Sequence, residues 1–252
     1  MKRKTLPQKT FGQPVAIVTG AGRRLGKHIA IALAEKGLIV VVNYHSSKRG
    51  AEETVKTIRK MGGKAISIKA DVSKRIEVVR MVKQTLSEFK RIDLLVNNAA
   101  IFIDSSLEKT TDVIWDTILN INLKGTFLCS QVISAQMLKQ KSGKIINIAS
   151  LGGIQSWTEH LPYSVSKAGV IMLTKVLAKT LAPAIQVNAI APGTIIMEGE
   201  EDSSIRHLPA RKILLKKFGT PSDITSLVIY LATTASYITG QILVVDGGRS
   251  IQ

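Results

Sequence analysis

The chain has 252 residues, 45% of them hydrophobic, and its 35 Lys and Arg against 18 Asp and Glu give a formal charge of +17. That apolar content supports a packed core and excludes a disordered chain, and no run approaches the roughly 18 apolar residues that span a bilayer. One cysteine, Cys129, excludes an internal disulfide and a cysteine metal cage, so no metal is expected and a reducing, cytoplasmic setting is.

Residues 1–13 read as a basic tail, with no apolar stretch of the kind a secretory signal needs, leaving 14–252 as one domain. Short runs rich in Val and Ile then recur as strands: Val15–Val18, Ile39–Val42, Ala65–Ile68, Leu94–Val96, Ile145–Ile148, Gln186–Ile190 and Leu243–Val245. Stretches of helical length separate them, with apolar residues three and four apart, as at Ile29 and Leu33, Val55 and Ile58, or Val78, Val82 and Leu86. Such alternation predicts an α/β fold: a single Rossmann-type doubly wound parallel sheet of about seven strands with helices on both faces.

The first strand runs into Thr19-Gly20-Ala21-Gly22-Arg23-Arg24-Leu25-Gly26, after which a helical pattern begins. A glycine-rich turn between strand and helix brings backbone N–H groups and a helix N-terminus to a pyrophosphate, so Thr19, Gly20, Arg23, Arg24, Leu25 and Gly26 are expected to bind a dinucleotide. An acid about 20 residues later would mark NAD. The stretch at the end of the second strand instead carries Tyr44, His45, Ser46 and Ser47, without a carboxylate to repel a 2′-phosphate, and Arg23 is available to attract one. The expected cofactor is NADPH.

Tyr163 and Lys167 lie four apart, on one face of a helix, where an ammonium would lower the phenol's pKa and ready it for proton exchange with a carbonyl oxygen. Ser150, at the end of a strand, is placed to bond that same oxygen, and Asn122 to anchor a water near Lys167.

Together these segments resemble the short-chain dehydrogenase/reductase family from Val15 to about Ile251. Asp71-Val72 looks like that family's adenine-contacting pair, the Asn98 and Ala99 of Asn97–Ala100 like its N-N-A-G segment, and Pro192-Gly193-Thr194 like its nicotinamide-side turn. The resemblance implies Tyr163 as general acid, Lys167 as pKa modifier and ribose anchor, Ser150 as oxygen stabiliser, Asn122 as relay, a substrate lid at about 194–218, and a homotetramer. Arg24 and Ala100 depart from the pattern, each replacing a glycine.

For the substrate, the Ser/Tyr/Lys/Asn set resembles 3-oxoacyl-acyl-carrier-protein reductases. Lys141 and Lys179 fall where that group carries basic residues for its acidic carrier, which a basic surface would steer. The alternative is pteridine reductase: Thr19-Gly20 with Arg24-Leu25-Gly26, and Phe102, are similar to that group, while Ser150 stands where it carries Asp. Trp157 lies on a loop expected to face substrate, where its ring would stack on a flat ligand or pack the loop. A non-catalytic dinucleotide sensor binding nucleic acid is a third reading, prompted by 13 Lys and Arg against three acids in residues 1–60. Against it stand the intact Tyr163 and Lys167 and the want of any recognisable nucleic-acid motif.

Overall fold

The computed structural model describes residues 12–197 and 210–251, so most of the basic tail and the middle of the expected lid lie outside the described residues. Seven strands form one parallel sheet in the order β3-β2-β1-β4-β5-β6-β7. They are β1 (Val15–Val18), β2 (Ile39–Tyr44), β3 (Ala65–Lys69), β4 (Leu94–Asn97), β5 (Gly143–Ile148), β6 (Ile185–Pro192) and β7 (Ile242–Val245). The expected doubly wound sheet is therefore present, with each expected run inside an observed strand.

Strand periodicity sorts the core. Alternate residues of β1 face opposite ways: Ala16 and Val18 pack with α1 (Arg24–Glu35), α2 (Lys48–Lys60) and α7 (Pro221–Ile229). Val15 and Ile17 pack with α3 (Arg75–Phe89), α5 (Gly125–Gln140) and α6 (Leu161–Leu181). Every residue of β1 is fully buried, as a central strand covered on both faces requires, and each large side chain so buried contributes roughly 1.5–3 kcal/mol.

Strand order reverses between β1 and β4, and in such sheets a crevice opens beyond the strand C-termini at that point. Thr19 and Asn98 hold this mouth. The Thr19 hydroxyl accepts from Asn98 N at 2.9 Å and Ala99 N at 3.0 Å, while Asn98 Nδ2 donates to the Thr19 carbonyl at 2.9 Å. A short α4 (Asp112–Ile118) runs into α5 through one π-helical turn, Leu119–Lys124, a geometry often found at functional sites. That turn carries Asn122 into the interior, where it is 1% exposed.

Candidate active site

A cleft of about 390 Å³ opens at the switch point. Its walls include Gly20, Arg23, Arg24, Leu25 and Gly26 from the turn after β1; His45, Ser46 and Ser47 after β2; and Asp71 and Val72 after β3. Asn98 and Ala99 after β4, Ser150 after β5, Tyr163 and Lys167 on α6, and Pro192 and Gly193 at the end of β6 complete it. Residues from Gly20 to Gly193 meet because each follows the C-terminal end of a strand or, like Tyr163, begins the helix beyond one.

The turn is built around missing side chains. Gly20 has φ +62°, and a Cβ there would lie 2.9 Å from Ala99 Cα. A Cβ on Gly26 would overlap the Gly20 carbonyl and Asn98 Nδ2. Backbone is therefore the cleft surface at this point, as phosphate binding through N–H groups needs. Arg24 holds a φ of +48°, the left-handed conformation that glycine occupies without penalty. This explains physically why glycine is the usual residue of the pattern at this position; here an arginine side chain lines the cleft at a conformational cost.

At the end of β2, the placement of Tyr44 differs from the expectation of cofactor contact. Its ring is buried in the core with Val40 and Val42, because residues two apart on a strand share a face. Its neighbour Asn43, which motif reading passes over, lines the cleft instead. Asn43 Oδ1 accepts from Gly20 N at 3.3 Å, and Nδ2 donates to the Ala70 carbonyl at 3.0 Å, tying the turn to β3. Thr19 also falls short of the cleft, being 1% exposed and engaged with Asn98 and Ala99. Burial pushes the Asp71 carboxyl up, but hydrogen bonds from the Ser73 hydroxyl and amide outweigh it and the net shift is downward. Thr194 is outside the cleft lining; its hydroxyl accepts from Arg249 Nη1 at 2.9 Å.

At the end of the cleft nearest α6, Ser150 Oγ accepts from Gly152 N at 3.1 Å, which aims a buried hydroxyl at the cleft. Burial raises the Tyr163 pKa, and the hydrogen bond with Ser150 opposes that rise. Lys167 is 4% exposed; burial brings it down from 10.5 to about 8, and its Nζ donates to the Ile148 carbonyl at 2.7 Å. That Nζ stands 5.8 Å from the Tyr163 ring centroid. The expected lowering of the phenol by the ammonium is thus not the net outcome, because burial dominates. A phenol held protonated is nonetheless the form that gives a proton to a carbonyl.

Asn122 spends its side chain on positioning. Its Oδ1 accepts from Ile101 N at 2.9 Å, and its Nδ2 donates to the Ile101 carbonyl at 3.0 Å and to Ser166 Oγ at 3.1 Å. It therefore ties the segment after β4 to the helix that bears Tyr163 and Lys167.

Phe102 and Trp157, expected to face substrate, are outside the cleft lining; both pack beside Tyr163 at its edge, with ring centroids 4.7 and 6.4 Å from it. Lys141 and Lys179 are exposed at the C-terminal ends of α5 and α6, which lead back to the N-terminal ends of β5 and β6. Both therefore stand at the end of the sheet opposite the cleft of their own chain. Among the described residues no group of His, Cys, Asp and Glu could hold a metal ion, and no helix is long and apolar enough to cross a membrane.

A family model described as enoyl-(acyl carrier protein) reductase matches residues 20–250. The chain is 44% identical to a 3-oxoacyl-[acyl-carrier-protein] reductase of Synechocystis sp. over 93% of its length and 96% of that protein. It is also 44% identical to a 3-oxoacyl-[acyl-carrier-protein] reductase of Staphylococcus epidermidis, covering 92% of this chain and 97% of that one. A solved structure from Burkholderia xenovorans, described as a short-chain dehydrogenase/reductase, superposes with a TM-score of 0.89 at 26% identity, covering 96% and 100% of the two chains.

Proposed function

The chain belongs to the short-chain dehydrogenase/reductase family, an oxidoreductase acting on a carbonyl or hydroxyl group, and from that premise we propose that it reduces 3-oxoacyl thioesters of acyl carrier protein with NADPH. The observation that carries this is the convergence of Ser150 and Tyr163 on one end of the cleft with Lys167 buried beside them. Two hydroxyls suit a ketone oxygen, which takes two hydrogen bonds as it becomes an alkoxide.

The residues present fit a phosphorylated dinucleotide. The Gly20–Gly26 turn, where added Cβ atoms would fill the cradle, would hold the pyrophosphate. Arg23, Arg24, His45, Ser46 and Ser47 would hold the 2′-phosphate, Asp71 and Val72 the adenine end, and Asn98, Ala99, Pro192 and Gly193 the nicotinamide end. When bound, the nicotinamide supplies hydride to the carbonyl carbon. Tyr163 gives its phenolic proton to the carbonyl oxygen, and Ser150 donates to that oxygen throughout. Lys167 would stabilise the phenolate left behind and hold the ribose, while Asn122 fixes the helix that carries both through Ile101 and Ser166.

The net charge of +17 would steer an acidic carrier, and the Lys141 and Lys179 positions would engage it only through a neighbouring subunit's cleft. A homotetramer is part of the reading: Phe127, Leu138, Val165, Met172 and Val176 leave α5 and α6 with exposed apolar side chains that an assembly would cover. A cytoplasmic setting follows from the substrate class. Pterin reduction is the second reading, favoured by the position of Phe102 against Tyr163 and by Arg24 in the cleft lining.

Following NADPH oxidation with an acetoacetyl thioester, and separately with dihydrobiopterin, decides between them. Thioester turnover is expected; turnover of the pterin alone would replace the first reading by the second. Equal use of NADH would overturn the assignment of His45, Ser46 and Ser47.

A further inference from the structure

Resting on the thioester-reductase reading, we propose that Phe102 and Trp157 form a preformed aromatic wall beside Tyr163 that selects acyl groups carrying a flat ring next to the reacting carbonyl. Only 4% of the residues are Phe, Trp or Tyr, yet three of them meet at this one place. The Phe102 ring stands edge-on to Tyr163, with 4.7 Å between centroids and 82° between planes, and lies 4.4 Å from His160. Trp157 lies almost parallel to Tyr163, at 6.4 Å and 13°, and 5.9 Å from His160.

The wall is braced from behind. Trp157 sits against Gly152, where an added Cβ would come within 2.7 Å of the indole, and the Arg249 guanidinium lies 5.4 Å over its ring. The two loops that carry the aromatics are joined by backbone: Ser105 N donates to the Glu159 carbonyl at 2.8 Å, and Leu161 N to the Ser105 carbonyl at 3.0 Å. His160 Nδ1 adds a contact of 3.2 Å to the Asp104 carboxylate. A wall fixed in this way costs little ordering when a ligand arrives. Yet Phe102 remains 47% exposed, so an open face of the side chain stands beside the Tyr163 ring. A linear 3-oxobutanoyl group is too small to cover that face, whereas an aryl ketone places a ring against it, and one such ring pair is worth up to roughly tenfold in binding.

The test compares kcat/KM for the acetoacetyl and the benzoylacetyl thioesters of N-acetylcysteamine, each ketone taking hydride from NADPH and a proton from Tyr163 to become the 3-hydroxy thioester. The intact enzyme is expected to favour the aryl substrate by roughly tenfold. Phe102→Leu should bring the ratio close to parity, Trp157→Leu should lower it, and Phe102→Tyr, which keeps the ring, should preserve it. Melting temperature and NADPH affinity report whether each variant is folded. A preference of the intact enzyme for acetoacetyl, or an aryl preference untouched by both leucine variants, would overturn the wall. Reduction of neither thioester would overturn the reductase reading itself, and the wall with it.

Discussion

Replacing Lys167 by Met exchanges a buried ammonium for a buried thioether, and the consequence for stability depends on pH in a way the structure specifies. Folded Lys167 titrates at about 8 against an ordinary 10.5, with burial as the cause. The folded chain holds that proton less tightly than the unfolded chain, so unfolding takes up a proton between these values and raising the pH favours the fold. The full difference corresponds to about 3 kcal/mol that the native state gives up below pH 8, of which about 1 kcal/mol is recovered between pH 7.5 and 9. Cys129 acts in the opposite sense, since burial pushes its thiol from 9.0 up to about 12, and it removes a few tenths of a kcal/mol over the same interval. Tyr163, also raised by burial, opposes only above pH 10. Both groups remain in Lys167→Met, so the difference between the two proteins isolates the lysine. Urea denaturation of the cofactor-free enzyme at pH 7.5 and 9 should show the wild type gaining about 1 kcal/mol on Lys167→Met. A wild-type stability that, relative to Lys167→Met, stays constant or falls between pH 7.5 and 9 would refute the reasoning, and would mean that the bond to the Ile148 carbonyl offsets the burial.

Tyr163→Phe should lower turnover by roughly 10²–10⁴-fold while NADPH affinity, followed by cofactor fluorescence, changes little; unimpaired turnover would remove the general acid. Arg24→Gly should be more stable than Arg24→Ala by about 1 kcal/mol in denaturant, because both lose the side chain and only alanine keeps the left-handed penalty at φ +48°. Equal stabilities would show that the turn relaxes at no cost. Gly26→Ala forces a methyl into the Gly20 carbonyl and the Asn98 amide, and should cost about 1–3 kcal/mol and at least tenfold in NADPH affinity, measurable by calorimetry.

The core of each strand was readable because a strand buried on both faces is a run of Val and Ile; the strand ends were not. Gly143 and Lys144 belong to β5 although neither is apolar, and what makes Lys144 acceptable there is remote in sequence. Its Nζ donates to the Leu231 and Ala235 carbonyls at 2.9 and 2.7 Å, closing the π-helical end of the segment after α7. In the site, Tyr163 and Lys167 were legible because their spacing is local to one helix. No motif distinguishes Asn43, which lines the cleft, from Tyr44, which packs in the core: successive strand residues face opposite ways, and only the register of β2 against β1 and β3 says which one meets the turn. The partners of Asn122 were beyond reach of any motif, since Ile101 and Ser166 flank it from opposite directions along the chain.

The packing of the glycine turn onto α2 sets terms for anyone who would redesign the cofactor site. A Cβ on Gly22 would strike Ser47 Oγ, and a Cβ on Gly50 would strike the Gly22 carbonyl, so the phosphate turn and the loop beyond β2 lean on each other through bare backbone. Exchanging Ser47 for a longer acid to recruit NADH would therefore press on Gly22 as well as on the ribose. The turn proposed to grip the pyrophosphate and the loop proposed to set nucleotide preference form one mechanical unit in this chain, and a swap of preference would have to move both halves together.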